Sequence, residues 1–541
     1  MKRWGIVIIL LVAAFLRLYM LSSVPPSASL DEASIGYNAY SFLHTGKDEY
    51  GTVFPILLRA YDDYRPALYV YLVMPFVALF GLTVMAVRLP SVILSITTVY
   101  LVYCTGKLLG KKFLSFPYLG ELAAGLLAIS PWHIYISRLG HEANLGLFLT
   151  VCAVYFFFSA MIRRRNSDFF VSAIFFGLSV YGYQSEKAIV PLLLIAGAVL
   201  FWKQVWQKKI AAVAAAVLCG MIVLPALVVT LSPQGMLRFR GTSAFSADSA
   251  PFAAAAKRYE AAKAAGNRLG EIMNGKYVTS VTVFADNYLS HFSPVWLFWG
   301  GNREDFKAPG VGLLYTWEMV FVLLGFWTVW KFFPKRYSLF LYAVILASPV
   351  PAAITTGSPH AMRIYTMLSA LPVIEAAGFW YVIRRIPLRY ARTSAVIFAV
   401  IIALGFTGFW HGYFVRFPAE QSDAFQYAMR GAVAYAQKNG PSYARVDFAN
   451  QGALYQSYMF FLFYTKYDPA LYQREGGTVS GGFAEAHHFG KYAFGYLPRT
   501  PSGFTKDTLY YYNADEVPEG LRVVARFSDL DGKPAIVAAA L

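Results

Sequence analysis

The sequence predicts a polytopic, all-α membrane domain of about eleven spanning helices, followed by a small α/β or α+β domain. Three observations predict it. Of 541 residues, 57% are apolar and only 14% charged, against roughly 25% charge in a soluble chain. Twelve apolar runs, most of them near the ~20 residues a spanning helix requires, succeed one another up to residue 415. The basic residues gather in clusters between those runs. A water-soluble multidomain enzyme is excluded. So is a disordered chain, by 17% aromatic residues and a mean hydropathy of +0.47. A net charge of +17 would suggest nucleic acid in a soluble protein. Here its distribution sets membrane topology, and the expected partner is a bilayer with no nucleic acid. Cys104, Cys152 and Cys219 each sit in an apolar run, which argues against disulfides and CxxC metal sites.

The first run, 4–16, follows Lys2 and Arg3 and reads as a signal-anchor, since no A-x-A cleavage site follows and Pro25-Pro26 lies beyond it. The others lie at 66–87, 90–106, 119–136, 143–162, 169–185, 188–202, 210–230, 312–330, 337–358, 364–383 and 393–415. The basic clusters are Lys107/Lys111/Lys112, Arg163/Arg164/Arg165, Lys203/Lys208/Lys209, Lys331/Lys335/Arg336 and Arg384/Arg385/Arg389/Arg392. If all twelve runs cross, these clusters fall opposite Lys2 and Arg3, against the positive-inside rule. If 66–87, broken by Pro75, lies in the interface or re-enters, every cluster becomes cytoplasmic. The short outer loops then keep Arg138, Lys187 and Arg363. Eleven spans are therefore expected in the plasma membrane, with the N-terminus inside.

Residues 1–415 form the predicted membrane domain, with outer loops 22–88 and 231–311, and 416–541 the predicted outer domain. The larger loop carries an Ala/Lys-rich helix near 251–273, expected to lie on the membrane or over the first loop. The last segment reads as helix 420–438, strand 443–449, helix 453–466 and strands at 508–512, 521–527 and 534–539. Leu509-Tyr510-Tyr511-Tyr512 reads as a strand rather than a sugar platform.

The outer charges are few and mixed. They are Asp31, Glu32, Asp62, Asp63 and Arg65 in the first loop, then Arg138, His141 and Glu142, Glu186 and Lys187, and His360 and Arg363. Carboxylates beside several cations at the outer leaflet suit a phosphate headgroup and an acid–base step, although ordinary interfacial charge has the same look. Ser29-Leu30-Asp31-Glu32 is an S-x-x-E capping box that starts a helix through about Leu43. Capping accounts for Glu32 and leaves Asp31 able to face an outer cavity. Asp62-Asp63-Tyr64-Arg65-Pro66 also reads as a polar turn, and Arg138 with Glu142 as a solvated pair. Glu318 and Glu375, inside apolar helices, read as buried structure. No GxGxxG, P-loop, HExxH or GxSxG occurs in a usable context.

These residues resemble the GT-C glycosyltransferases, and most closely their family 39 group of protein O-mannosyltransferases and aminoarabinose transferases. The resemblance rests on Leu30-Asp31-Glu32-Ala33, Tyr64-Arg65-Pro66-Ala67-Leu68-Tyr69, Ser130-Pro131-Trp132-His133 leading to Ser137-Arg138 and Glu142, and Pro359-His360-Ala361-Met362-Arg363. It covers the layout of about 1–415. It implies a GT-C fold, a donor sugar esterified to a polyprenyl monophosphate, and transfer to a hydroxyl of a protein, lipid or glycan outside the membrane. It puts Asp31 in the position of the catalytic carboxylate and Glu142 at a second acidic position. Arg65 matches the basic residue of a Lys-Pro-Pro-Leu segment that contacts the lipid phosphate. This chain departs there, with Arg for Lys, Tyr64 for an acidic residue and Ala67 for the second proline. Arg138 and Arg363 match recurrent basic positions, and Glu32, Asp63, Tyr64, His141, Lys187 and His360 are supporting candidates.

The implied reaction is an inverting displacement. Asp31 accepts the acceptor proton as C1 gains positive charge, and fixed cations stabilise the departing phosphate. The scheme requires no cofactor, while Asp-Glu and Asp-Asp pairs are also able to bind a divalent cation. Two other classes stay open: a secondary transporter, which calls for internal repeats, and an oligosaccharyltransferase or glycan polymerase using a lipid pyrophosphate. The oligosaccharyltransferase reading calls for a WWDxG-like motif, which 416–541 lacks.

Overall fold

The computed structural model describes residues 4–61, 63–246, 249–301, 304–475, 478–479 and 486–541, so Lys2, Arg3 and Asp62 lie outside the described residues. The chain opens with α1 (Trp4–Leu18), α2 (Leu30–Thr45), a hairpin of β1 (Leu57–Ala60) and β2 (Asp63–Pro66), and α3 (Leu68–Phe80). A run of apolar helices follows: α4 (Val84–Leu109), α5 (Leu119–Ile129), α6 (Pro131–Ser137), α7 (Ala143–Arg163), α8 (Asn166–Ser179), α9 (Glu186–Leu200), α10 (Trp202–Gln207) and α11 (Lys209–Thr230). The large loop folds as α12 (Pro233–Thr242), α13 (Ala250–Ala264), α14 (Arg268–Met273) and α15 (Lys276–Ser290). Then come α16 (Glu318–Phe332), α17 (Lys335–Ala347), α18 (Val350–Ala353), α19 (Leu371–Arg385), α20 (Ala391–Trp410) and α21 (Phe417–Glu420).

Each of the runs read as spanning falls on one of these helices, except 119–136 and 337–358, which fall on two each. Among the described residues, five helical stretches are long and apolar enough to cross a membrane alone, or six if α5 and α6, bent by 59° at Ser130, count as one. The basic clusters gather at one end of the bundle. Lys208 Nζ donates to Arg164 O, Phe113 packs on Phe333 and Tyr337, and Arg336 lies over Phe201. α16 and α19 approach so closely that a Cβ on Gly378 would stand 2.0 Å from Phe321 O. Between them Glu318 and Glu375 line a cavity of only about 10 Å³, and Glu318 Oε2 accepts the Tyr315 N–H.

α3 is shorter than these stretches. It spans 13 residues, contains Pro75, and buries Tyr69, Val70, Val73 and Val77 in a second core with α2 and the last part of the chain. That last part holds α22 (Tyr427–Asn439), β3 (Arg445–Ala449), α23 (Ser457–Thr465), α24 (Pro469–Glu475), β4 (Thr478–Val479), β5 (Ala486–Phe489), β6 (Tyr492–Gly495), β7 (Thr508–Asn513), β8 (Arg522–Ser528) and β9 (Pro534–Ala540). The strands form one sheet in the order β4-β5-β6-β3-β7-β9-β8, with β3 parallel to β6 and β7 and the remaining pairs antiparallel. Tyr510, Tyr511 and Tyr512 are buried in β7, as a strand requires.

Three expectations need correction. The helix expected at 251–273 is two helices, because the chain turns through Gly266 at φ +65°. The helix expected from 420 starts at Tyr427, after Gln426 takes a left-handed conformation. The β5–β6 hairpin was not foreseen, since its residues alternate too weakly to show a face.

Candidate active site

α2 begins with the predicted capping box. Ser29 Oγ accepts the Glu32 N–H at 3.2 Å, and Glu32 Oε2 accepts the Ser29 N–H at 2.8 Å. Glu32 is 1% exposed. Arg88 Nε and Nη2 grip its two oxygens at 2.7 and 2.9 Å, and the Gly140 N–H donates to Oε1 at 2.8 Å. The remaining donors of Arg88 go to Leu21 O, Pro25 O and Ser27 O. Glu32 is thus a structural anchor, and its expected supporting role at the site is set aside. Asp31, on the other side of the helix turn, has a side chain 45% exposed.

Arg65 meets Asp31 there. The β1–β2 hairpin pairs Leu58 with Arg65, and the Tyr61 hydroxyl ties its turn to Leu30 O at 2.9 Å. Arg65 Nη2 donates to Asp31 Oδ1 at 2.6 Å, while Nη1 is buried with no hydrogen-bond partner among the described residues. Burial pulls the Arg65 pKa down, but Asp31, Glu142 and Tyr61 outweigh it and hold the guanidinium above its ordinary value. His141 completes the corner. Its Nδ1 accepts the Ala143 N–H at 3.1 Å, so in the neutral ring the proton sits on Nε2, 3.7 Å from Asp31 Oδ2.

Asp31 and His141 line a cavity of about 760 Å³ whose far wall carries Glu304, Asp305 and His360. That volume lies within the range of small-molecule sites. Behind this wall the His360 N–H donates to His291 Nε2 at 3.1 Å, the Ala361 N–H donates to Glu304 Oε1 at 2.7 Å, and Lys307 Nζ lies 3.8 Å from Glu304 Oε2. Burial raises the Glu304 pKa and lowers that of Lys307; burial, with Arg363 nearby, pushes His291 down to about 4. A second cavity, about 270 Å³, holds Lys187 and Arg363 among apolar residues such as Met236 and Ile354. Gln184 also lines it and donates to Tyr64 O at 3.1 Å, which joins this cavity to the strand that carries Arg65.

The predicted residues therefore divide. Asp31, Arg65 and His141 share one corner, His360 faces them across the first cavity, and Lys187 and Arg363 line the second. Asp63 and Tyr64 lie on β2, where Asp63 Oδ1 accepts the Tyr64 N–H.

Arg138 is a correction. It is fully buried, donates to Leu16 O, Arg17 O and Val24 O, and stacks near Tyr413 and Phe414. It satisfies carbonyls in and beyond the last turn of α1, which have no helical partner, and does not reach either cavity. Glu142, expected beside Asp31 as a second acidic residue, is buried next to that corner. It is 3% exposed, lines neither cavity, and stands 3.7 Å from His141 Nδ1.

Sequence reasoning missed Arg88, Glu304 and Arg17. Arg17 ties the end of α5 to α1 through Leu127 O, Ala128 O and His133. Among the described residues, no group of three or more His, Cys, Asp or Glu side chains is arranged to hold a metal ion.

A family model described as dolichyl-phosphate-mannose-protein mannosyltransferase matches residues 64–229, a stretch that takes in Arg65, His141 and Lys187 but not Asp31. No curated protein matches the chain. Among solved structures, ArnT from Cupriavidus metallidurans bound to undecaprenyl phosphate aligns with a TM-score of 0.55 at 13% identity, over 98% of this chain and 97% of that one. The archaeal oligosaccharyltransferase AglB from Archaeoglobus fulgidus, in complex with an inhibitory peptide and a dolichol-phosphate, aligns with a TM-score of 0.51 at 13% identity. That alignment covers 85% of this chain and 63% of AglB, so the chain spans less than two thirds of AglB's length. The chain has the GT-C fold, and its resemblance to the family 39 group is borne out.

Proposed function

We propose that this protein transfers a sugar from a polyprenyl-phosphate donor to an acceptor hydroxyl, with inversion and with Asp31 as general base. The observation that carries the reading is the 2.6 Å contact between Asp31 and Arg65 at the corner of the 760 Å³ cavity. A half-exposed carboxylate faces space for two substrates, and Nη1 of the guanidinium beside it has no hydrogen-bond partner among the described residues. The family match over 64–229 and the lipid phosphates named for ArnT and AglB support a lipid-linked donor.

In this scheme the donor phosphate approaches Arg65 from the side of Lys187 and Arg363, its polyprenyl chain passing the apolar residues of the second cavity. Arg65 turns part of its charge toward the phosphate and frees Asp31. The acceptor oxygen forms a bond to C1 as the C1–O bond to phosphate breaks. The hydroxyl proton passes to Asp31, and the electron pair leaves with the polyprenyl phosphate. General-base help of this kind is worth roughly 10²–10⁴-fold. His141, with its Nε2–H turned toward Asp31, steadies the carboxylate by charge, and the charge of Glu142 helps hold the Arg65 guanidinium. With the basic clusters cytoplasmic by the positive-inside rule, the transfer is extracytoplasmic, with the N-terminus inside, in the cytoplasmic membrane.

The test is to incubate the purified protein with labelled polyprenyl-phosphate sugars and a panel of hydroxyl acceptors. Release of sugar from a monophosphate carrier, with inverted anomeric configuration in the product, is expected. Turnover of lipid-pyrophosphate donors alone would overturn the reading.

A further inference from the structure

A third cavity lies apart from the catalytic corner, at the seam between the helix bundle and the sheet. Its volume is about 450 Å³. Three parts of the chain close it: the segment after α1 (Ser22), the turn joining α3 to α4 (Phe80, Met85), and two helices of the sheet layer (Arg430 on α22, Phe463 and Tyr464 on α23).

Its position fixes its solvent. Val84 is the first residue of a helical stretch long and apolar enough to cross a membrane, so the cavity stands at one end of a candidate span, the outer end in the topology proposed above. Phe80 is 49% exposed, Met85 37%, and Leu79 just before them 77%. Apolar surface of that extent at the rim suits acyl chain rather than water. The polar side has cations. Arg430 is exposed on the cavity wall, and Lys466, also exposed, places Nζ 4.0 Å from where a Cβ on Gly81 would stand. Tyr464, on the floor, exchanges a 2.7 Å hydrogen bond with Ser27. Glu32, whose charge also reaches Tyr464, is matched by Arg88. The cavity therefore has one cation, Arg430, on its wall and a second, Lys466, beside the neighbouring Gly81, next to the apolar Phe80, Leu82 and Met85.

We propose that this seam is a binding site for one anionic phospholipid of the outer leaflet. Its phosphate sits between Arg430 and Lys466, and an acyl chain lies against Phe80 and Met85. The lipid joins the sheet layer to the membrane face. This inference stands apart from the catalytic reading, because no residue of the catalytic corner takes part.

The experiment uses the full-length protein in detergent, with phosphatidylglycerol or phosphatidylcholine added, read by native mass spectrometry and by Tm. One phosphatidylglycerol is expected to be retained in preference to phosphatidylcholine and to raise Tm. Its affinity should fall roughly fivefold in Arg430→Gln and again in Lys466→Gln. The double variant should lose the Tm response to lipid while keeping the wild-type Tm in its absence, since both side chains are exposed. Equal retention of the two lipids, or unchanged phosphatidylglycerol affinity in the double variant, would overturn the assignment. So would displacement of the phospholipid by an equal concentration of polyprenyl phosphate, which would give the site to the carrier lipid.

Discussion

Asp31 and Glu32 are neighbours on the first turn of α2, and each meets an arginine, yet the two pairs are built for opposite ends. Glu32 and Arg88 are both buried, and the guanidinium spends its donors on the carboxylate and three backbone carbonyls. Asp31 and Arg65 meet at a cavity edge through a short contact, with the carboxylate half exposed and Arg65 Nη1 without a hydrogen-bond partner among the described residues. A saturated pair has no bonding capacity left for a substrate, while an unsaturated one does. Sequence adjacency says nothing about which is which, because a helix turn sends successive side chains about 100° apart.

This contrast can be broken by experiment. Arg88→Met leaves Glu32 charged and buried without its partner, which should cost about 3–5 kcal/mol. A large fall in Tm is expected, whereas Arg65→Ala should cost less, because its partner Asp31 retains water. Equal losses in the two variants would erase the distinction.

A second locked group sharpens it. His291, fully buried behind the cavity wall, has a pKa pushed down to about 4, so it stays neutral in the fold while the unfolded chain takes up a proton near the ordinary 6.5. Its contribution to stability is present above that ordinary value and is lost as pH falls toward 4. The loss amounts to as much as about 3 kcal/mol. Tm measured from pH 7 to pH 4.5 should fall, and the fall should flatten in His291→Gln. An unchanged slope in that variant would place the acid sensitivity elsewhere.

The third effect is on binding. Arg65→Ala should weaken polyprenyl-phosphate binding by roughly 10–100-fold, the worth of a hydrogen bond to a charged group. Arg65→Lys should recover part of it, since an ammonium keeps the charge and loses the fork. Unchanged donor affinity in Arg65→Ala would remove Arg65 from the phosphate site.

Much of this architecture was legible in the residues. The apolar runs mark the helices, and charge sidedness together with Pro75 singles out 66–87, which folds around the short α3 against α2 and the last part of the chain. The capping box forms as spelled. The buried arginines were not legible. Arg17, Arg88 and Arg138 stand where helix ends and loops leave carbonyls without partners at the rim, and such carbonyls are costly beside lipid. A short loop rich in charge shows that an arginine is near the surface, but not whether it turns toward a cavity or back onto backbone. Glu304 was missed for a related reason. It belongs to a long loop without periodicity, and it is brought beside His360 by a contact spanning 57 residues.

The account rests most directly on Asp31, and Asp31→Asn tests it with donor binding and transfer measured on the same preparation. Transfer should fall by about 10²–10⁴-fold, while polyprenyl-phosphate affinity and Tm stay close to wild type. Transfer at the wild-type rate, or a loss fully explained by failure to bind the donor, would contradict Asp31 as the proton acceptor.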